Sequence, residues 1–295
     1  MKKILVITGQ TATGKTKLAL EYAHKLNGEL LNFDSRQIYK FLDIVTGKDL
    51  EEIKEYKIPV HLLDLVSPDE PFSSFDFVKR AQQVIEDIWG RKKTPILVGG
   101  TYLYLKHLLY GQDIEIPPDE KLRKKLEKKS VTELQETLLH YYIKMKSKPE
   151  INNSDWNNPR RLIRKIEILT ALRKLNKGST SEVGRSRSSE VKFGRLKLIG
   201  LRHKTKESLI MAITERVEKR LAQGAMNEVK KILDMGYKKT DPGLQTIGYK
   251  QLISCIEGAL TLEQAKIEWI NKEVQYAKRQ YTFMKGDKNI LWKFC

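Results

Sequence analysis

Residues 9–16 read GQTATGKT and follow the short apolar run KILVIT at 3–8. The eight residues fit the pattern G-x-x-x-x-G-K-[ST]. Gly9 and Gly14 let the chain curl so that backbone N–H groups point inward. Those donors, with the start of a helix near Lys15, form an anion site. Lys15 adds a mobile positive charge for terminal phosphates, and Thr16 offers a hydroxyl, a hard oxygen ligand that suits Mg²⁺. The flanks support the motif. A continuous apolar run is the pattern of a buried parallel strand, and an amphipathic helix is expected over 17–25. Gly9, Gln10, Thr11, Ala12, Thr13, Gly14, Lys15 and Thr16 are therefore the expected seat of a diphosphate or of a nucleotide's phosphates. The loop alone does not say which.

Working outward, strands are expected at 29–33, 60–63 and 95–98, and helices at 74–89 and 103–109. Such alternation predicts an α/β fold of the P-loop NTPase type, a mostly parallel sheet with helices on both faces. In such sheets ligands gather at the carboxyl ends of the strands. The phosphate loop, Asp34 and Gly99-Gly100-Thr101 all lie there. A nucleotide-hydrolysing protein usually holds Mg²⁺ with an acid at the end of another strand. Here the strand 96–98 ends in Gly-Gly. Asp34 does end a strand, but Ser35, Arg36 and Gln37 follow it at the same edge. The site is as well equipped for a polar second substrate as for a phosphate.

The texture changes after Gly111. Ile116-Pro117-Pro118-Asp119 breaks the chain, and basic, helical sequence follows at 121–129, 132–146 and 160–175. Asn158 and Pro159 supply an N-cap and a first-turn proline to the last of these, and Gly178 can end it. The stretch STSEVGRSRSSE at 179–190 reads as a linker. A returning strand at 195–201, helices at 207–223, 228–235 and 262–285, and a last strand at 289–292 complete the pattern. The expected organisation is a discontinuous core, 1–111 with 191–295, and an all-helical insertion, 112–190.

Hydrophobic residues are 40% of the chain and charged residues 31%, a globular balance. No apolar run reaches the roughly 20 residues of a membrane span. The segment after Met1-Lys2-Lys3 is too short for a signal peptide, and a cytoplasmic setting is expected. Cys255 and Cys295 suffice for neither a disulfide framework nor a cysteine-based zinc site. Lys and Arg outnumber Asp and Glu by 55 to 37, a net charge of +18. A polyanionic partner relieves such self-repulsion. Arg160, Arg161, Arg164 and Lys165 form two i,i+4 pairs on one helix, suited to phosphates. Arg216 and Arg220 likewise share one helix face.

Six stretches then occur in order: GQTATGKT, FDSRQIY (33–39), LVGGTYLYLKHLL (97–109), NPRRLIRKIEIL (158–169), ERVEKRLAQGAMNEV (215–229) and QTIGYKQL (245–252). Together they closely resemble the tRNA dimethylallyltransferases, isopentenyl transferases acting on tRNA, over nearly the whole chain. The resemblance implies transfer of a dimethylallyl group from dimethylallyl diphosphate to N6 of the adenosine 3′ of the anticodon, with release of diphosphate. It implies that Asp34 is the general base, with Thr11 beside the reacting centre, and that Arg216 or Arg220 reaches the donor diphosphate. On the tRNA side it implies Asp34, Ser35, Arg36, Gln37, Thr101, Arg123 and the stretch Arg160, Arg161, Leu162, Ile163, Arg164. Mg²⁺ at Thr16 is the implied cofactor. The partners are the tRNA anticodon stem-loop and the prenyl donor, with no membrane and a monomer as default. Tyr102, Tyr104 and Tyr249 are candidates for base stacking, with core packing expected for at least two.

The chain departs from the family pattern in places. Gln10 stands where proline is common after the first loop glycine. Ile44-Val45-Thr46-Gly47-Lys48-Asp49 stands where I-G-T-A-K-P is common, and Asn158 where an acid often precedes the proline. Three rivals remain open: a P-loop kinase of small molecules or nucleotides, an isopentenyltransferase using free AMP, and a catalytically idle RNA-binding protein. The intact Lys15, Thr16 and Asp34 oppose the last, and the charge and insertion oppose the first two.

Overall fold

The computed structural model describes residues 2–111, 116, 119–145, 148–149, 151–178 and 194–295. Pro117, Pro118 and the 179–190 stretch lie outside them. The elements in chain order are β1 (Lys3–Gly9), α1 (Lys15–Leu26), β2 (Gly28–Asn32), α2 (Leu50–Tyr56), β3 (Val60–His61), α3 (Ser74–Gly90), β4 (Thr94–Val98), α4 (Tyr102–Tyr110), α5 (Glu120–Leu126), α6 (Val131–Lys144), α7 (Asn153–Trp156), α8 (Pro159–Gly178), β5 (Arg195–Arg202), α9 (Lys206–Ala222), α10 (Ala225–Asp234), α11 (Tyr249–Ile256), α12 (Leu262–Met284) and β6 (Ile290–Phe294). They fall into two units, Met1–Tyr110 with Val191–Cys295, and Gly111–Glu190.

In the first unit the strands form one sheet in the order β3-β2-β4-β1-β5-β6. Every pairing is parallel. Successive side chains of β1 face opposite sides, as strand geometry requires. Ile4 and Val6 join Leu31, Leu97 and Leu198 against Phe77, Ile85 and Leu105 of α3 and α4. Leu5 and Ile7 join Leu30, Ile96 and Ile199 against Ala19 and Leu20 of α1. Helices thus cover both faces, which is why the central strands β1, β2 and β4 are buried almost throughout. A third cluster packs α9 to α12 around Leu42, Leu209, Tyr249 and Trp269.

Ile7 pairs with Val98 on one side and Ile199 on the other. From β1 the chain crosses toward β2, whereas β5 lies on the opposite side. The loop after β1 therefore opens at a topological switch point, where open α/β sheets bind ligands. Near the amino ends of β2 and β4, buried Glu29 is held by Arg91 Nη2 at 2.8 Å, Lys93 Nζ at 2.8 Å and His61 Nε2 at 2.7 Å. In the second unit, α5, α6 and α8 enclose Leu126, Leu134, Leu138, Leu162 and Ile166. Asn158 Oδ1 accepts from Arg161 N at 3.2 Å, so it caps α8 ahead of Pro159.

The elements differ from the expected ones in detail. The first turn of α1 begins at Lys15, inside the phosphate loop. β3 stops after two residues because Leu62 adopts a left-handed φ of 65°. The short helices α2, α7 and α11 are additions; α2 and α7 are too brief to show a periodic apolar face, while α11 buries Tyr249, Leu252 and Ile253 at helical spacing.

Candidate active site

Gly9 turns the chain out of β1 at φ 130°, and a Cβ there would meet Leu201 O at 2.0 Å. No side chain fits between the two strands at that point. Gly14 is the N-cap of α1 and brings no capping side chain, so the first N–H groups of the helix remain available to an anion. Gln10, standing where proline is common, anchors the loop three ways. Its N–H donates to Leu201 O at 3.0 Å, its Oε1 accepts from His203 N at 2.9 Å, and its Nε2 donates to Ala277 O at 3.3 Å. Its carbonyl receives Thr13 Oγ1 at 2.8 Å and Lys15 Nζ at 2.5 Å. Burial, and then the charge of Arg216, push the Lys15 ammonium down to about 8.

The loop lines a cavity of about 1170 Å³ shared with Asp34, Gln37, Arg216 and Gln280. Thr11 is buried in its wall. Its N–H donates to Gln280 Oε1 at 2.8 Å, and its Oγ1 accepts from Arg216 Nη1. Arg220, one turn further along α9, is buried and pairs with Glu273 at 3.3 Å. Thr16 is partly buried on the same cavity wall. Among the described residues no cluster of three His, Cys, Asp or Glu is arranged to hold a metal ion.

Asp34 follows β2 at the same sheet edge. An Asx turn fixes it, with Arg36 N donating to Asp34 Oδ1 at 2.9 Å and Asp34 N donating to Asn32 Oδ1 at 3.0 Å. Oδ2 has no hydrogen-bond donor among the described residues. Ser35 N donates to Thr101 Oγ1 at 2.9 Å, which ties the ends of β2 and β4 together. Gln37 Nε2 donates to Gly47 O at 2.7 Å, while Arg36 is exposed. The structure thus brings Thr11, Lys15, Thr16, Arg216, Asp34, Gln37 and Thr101 to one end of the sheet. Tyr276 of α12 joins them, its hydroxyl raised by burial and then by the Asp34 carboxylate.

Other candidates stand differently. Tyr102, Tyr104 and Tyr249 are all buried, so all three are core residues and none offers a free ring to a base. In the second unit, Leu162 and Ile163 point their side chains into the core, because α8 packs that side on α5 and α6. Arg123 and Arg164 converge on buried Glu167: Arg123 Nε lies 2.7 Å from Oε1 and Arg164 Nη1 3.3 Å from Oε2. Arg160 is exposed, and Arg161 is exposed beside Asp155.

The sequence reading passed over Glu228, Glu273 and Gln280. One Glu228 oxygen accepts from Asp43 N at 2.9 Å and Ile44 N at 2.7 Å, and the other from Val45 N at 3.1 Å and from Tyr249 OH. Glu273 and Gln280 interrupt the buried stripe Trp269, Ala277, Met284 of α12. Polar residues at core spacing on an amphipathic helix were the signal that could have found them.

The chain matches the model of the IPP transferase family over residues 37–287. It is 38% identical over 294 residues to a tRNA dimethylallyltransferase of Acetivibrio thermocellus, covering 99% of this chain and 91% of that one. A tRNA dimethylallyltransferase of Staphylococcus epidermidis is 36% identical over 292 residues, with 98% and 86% covered. The crystal structure of a full-length tRNA isopentenylpyrophosphate transferase from Bacillus halodurans superposes with a TM-score of 0.70 at 32% identity, over 100% of this chain and 90% of that one. A eukaryotic dimethylallyltransferase acting on tRNA gives 0.78 at 27% identity, over 100% and 74%. With a phosphate loop at the sheet's switch point and these relatives along its whole length, the chain belongs to the IPP transferase family, that of the tRNA dimethylallyltransferases.

Proposed function

We propose that the chain takes the dimethylallyl group from dimethylallyl diphosphate and places it on N6 of the adenosine 3′ of the anticodon, as a monomer in the cytoplasm. Dimethylallyl transfer to tRNA is the activity of its family. The observation that carries the finer reading is the shared cavity: anion donors on one wall and a carboxylate with an unbonded oxygen on the other. Diphosphate fits the loop N–H groups, Lys15 and Arg216. As the allylic C–O bond breaks, negative charge grows on the leaving diphosphate, and those donors stabilise it most at that moment. The amine of N6 forms the new C–N bond and gives its proton to Asp34 Oδ2.

Thr16 would hold Mg²⁺ together with diphosphate oxygens. This ion keeps phosphate and water ligands and does not need a cage of carboxylates, so a single hydroxyl suits it. When bound it neutralises charge on the leaving group. The adenine must leave the anticodon-loop stack to reach Asp34. Ser35, Gln37 and Thr101 stand beside that carboxylate to receive it, and Arg160 and Arg161 are exposed cations at the start of α8, suited to tRNA phosphates.

The test is mass spectrometry of tRNA nucleosides after incubation with the protein, Mg²⁺ and dimethylallyl diphosphate. A dimethylallyl adduct on adenosine is expected. Asp34→Ala should slow transfer by about 10²–10⁴-fold, the span of a lost general base, with tRNA binding little changed. An unimpaired Asp34→Ala removes Asp34 as base, and phosphoryl transfer from ATP in place of prenylation refutes the whole reading.

A further inference from the structure

Gln280 belongs to α12, far in sequence from the loop and from Asp34, and its side chain is 6% exposed. Both ends of its amide are engaged. Oε1 accepts from Thr11 N at 2.8 Å, and Nε2 donates to Gly100 O at 3.1 Å. The amide end of Gln280 lies hard against Gly100. A Cβ there would fall 2.2 Å from Gln280 Nε2 and 3.7 Å from Asp34 Oδ2. The amide of Gln280 and the free oxygen of Asp34 thus face the same small space.

The two groups that Gln280 joins belong to the two halves of the reaction. Thr11 is the loop residue whose hydroxyl receives Arg216, on the diphosphate side. Gly100 precedes Thr101, whose Oγ1 holds Ser35 next to Asp34, on the acceptor side. Moreover, Gln280 occupies a loop N–H that a phosphate could otherwise use. A side chain kept there for anion binding would be working against itself. What it supplies is a fixed distance between the loop and the edge. One turn earlier on α12, Ala277 O receives Gln10, and two turns earlier Glu273 receives Arg220, so this helix face is fastened to the loop and to a cation of α9.

We propose that Gln280 is a positioning residue that sets the donor's reacting carbon against the acceptor amine by tying Thr11 N to Gly100 O. This rests on the prenyl-transfer reading above. Misplacement of reacting atoms by about 1 Å costs about 10²-fold in rate, while binding of each substrate alone depends on it little.

The experiment measures kcat and both KM values for tRNA prenylation by wild type, Gln280→Met and Gln280→Glu, with thermal melts alongside. Met keeps the volume and loses both bonds. Glu keeps the acceptor for Thr11 N and loses the donor to Gly100 O. Both should lose about 10²-fold in kcat, with both KM values near wild type. Each variant leaves a buried backbone group without its bond and should melt somewhat lower, so rates are compared at a temperature where every variant is folded. A kcat equal to wild type overturns the proposal. So does a loss seen wholly as a raised KM for dimethylallyl diphosphate, which would make Gln280 a phosphate-loop strut only. If Gln280→Met fails to fold, Gln280→Glu decides by the same two criteria. An inactive wild type would overturn both this proposal and the function above, whereas an unimpaired variant beside an active wild type overturns this proposal alone.

Discussion

Arg216 and Arg220 are the same residue one helical turn apart, and their surroundings give them different chemistry. Arg216 is partly buried and donates to Thr11 at the cavity wall. Arg220 is buried behind it. Burial, and then the charge of Arg216, push its guanidinium down to about 10, and its Nη2 has no hydrogen-bond partner among the described residues. It lines the same cavity as Arg216, with Glu273 holding its Nη1 from behind. Glu29 shows the opposite balance. Its bonds to Arg91, Lys93 and His61 outweigh burial and hold its carboxyl down at about 2, against the usual 4.5. A folded-state value below the unfolded one means stability that is fully present above pH 4.5 and drains away as pH falls toward 2. Glu29→Gln should therefore lower the urea midpoint at pH 7, and the gap to wild type should shrink as pH falls from about 4.5 toward 2. A gap that stays constant over that range would mean that ionisation of Glu29 is not what the cluster stabilises.

Elements with a long period or a hard constraint were legible in the sequence. β1, β4 and β5 are apolar on both faces because helices cover both faces, and they stand where the runs KILVIT, PILV and RLKLIGL put them. The Asn158-Pro159 start of α8 was legible because capping chemistry is local. Asp34, Thr101 and the phosphate loop share an edge because parallel strands end together. What was not legible depends on contacts distant in sequence. Gln280 and Glu273 look like surface residues until α12 is packed on α9 and the sheet. Glu228 looks like any helical acid, yet it gathers three backbone N–H groups from the loop at 43–45. That loop continues to Gly47, whose carbonyl orients Gln37. Glu228→Ala leaves three partly buried donors without their acceptor. It should cost about 2–3 kcal/mol, since bonds to charged groups contribute about 1.5–3 kcal/mol and an orphaned donor carries its own desolvation cost. Urea unfolding followed by circular dichroism reads this directly. A loss under about 0.5 kcal/mol, the level of an ordinary surface substitution, would mean that water replaces the carboxylate at no cost.

Across the whole chain the surplus of +18 charges is the feature a nucleic-acid partner answers, but the structure divides those charges into two kinds. Arg123 and Arg164 serve Glu167, whose side chain is fully buried, and removing either leaves that carboxylate short of a partner. Arg160 sits exposed at the start of α8, without a buried carboxylate to serve. Binding to a polyanion releases counterions, so the logarithm of the binding constant falls linearly with the logarithm of salt concentration, at about 0.7–0.9 per phosphate neutralised. Arg160→Ala should reduce that slope by about one such unit and leave the unfolding transition unchanged. Arg164→Ala should do the reverse, lowering the melting temperature of the second unit with a smaller change in slope. Filter binding of tRNA between about 50 and 200 mM salt, the range over which such contacts are read, separates the two. If Arg164→Ala lost the larger slope, Glu167 would be releasing its arginine to the tRNA, and charge in this unit would be shared between core and ligand instead of divided.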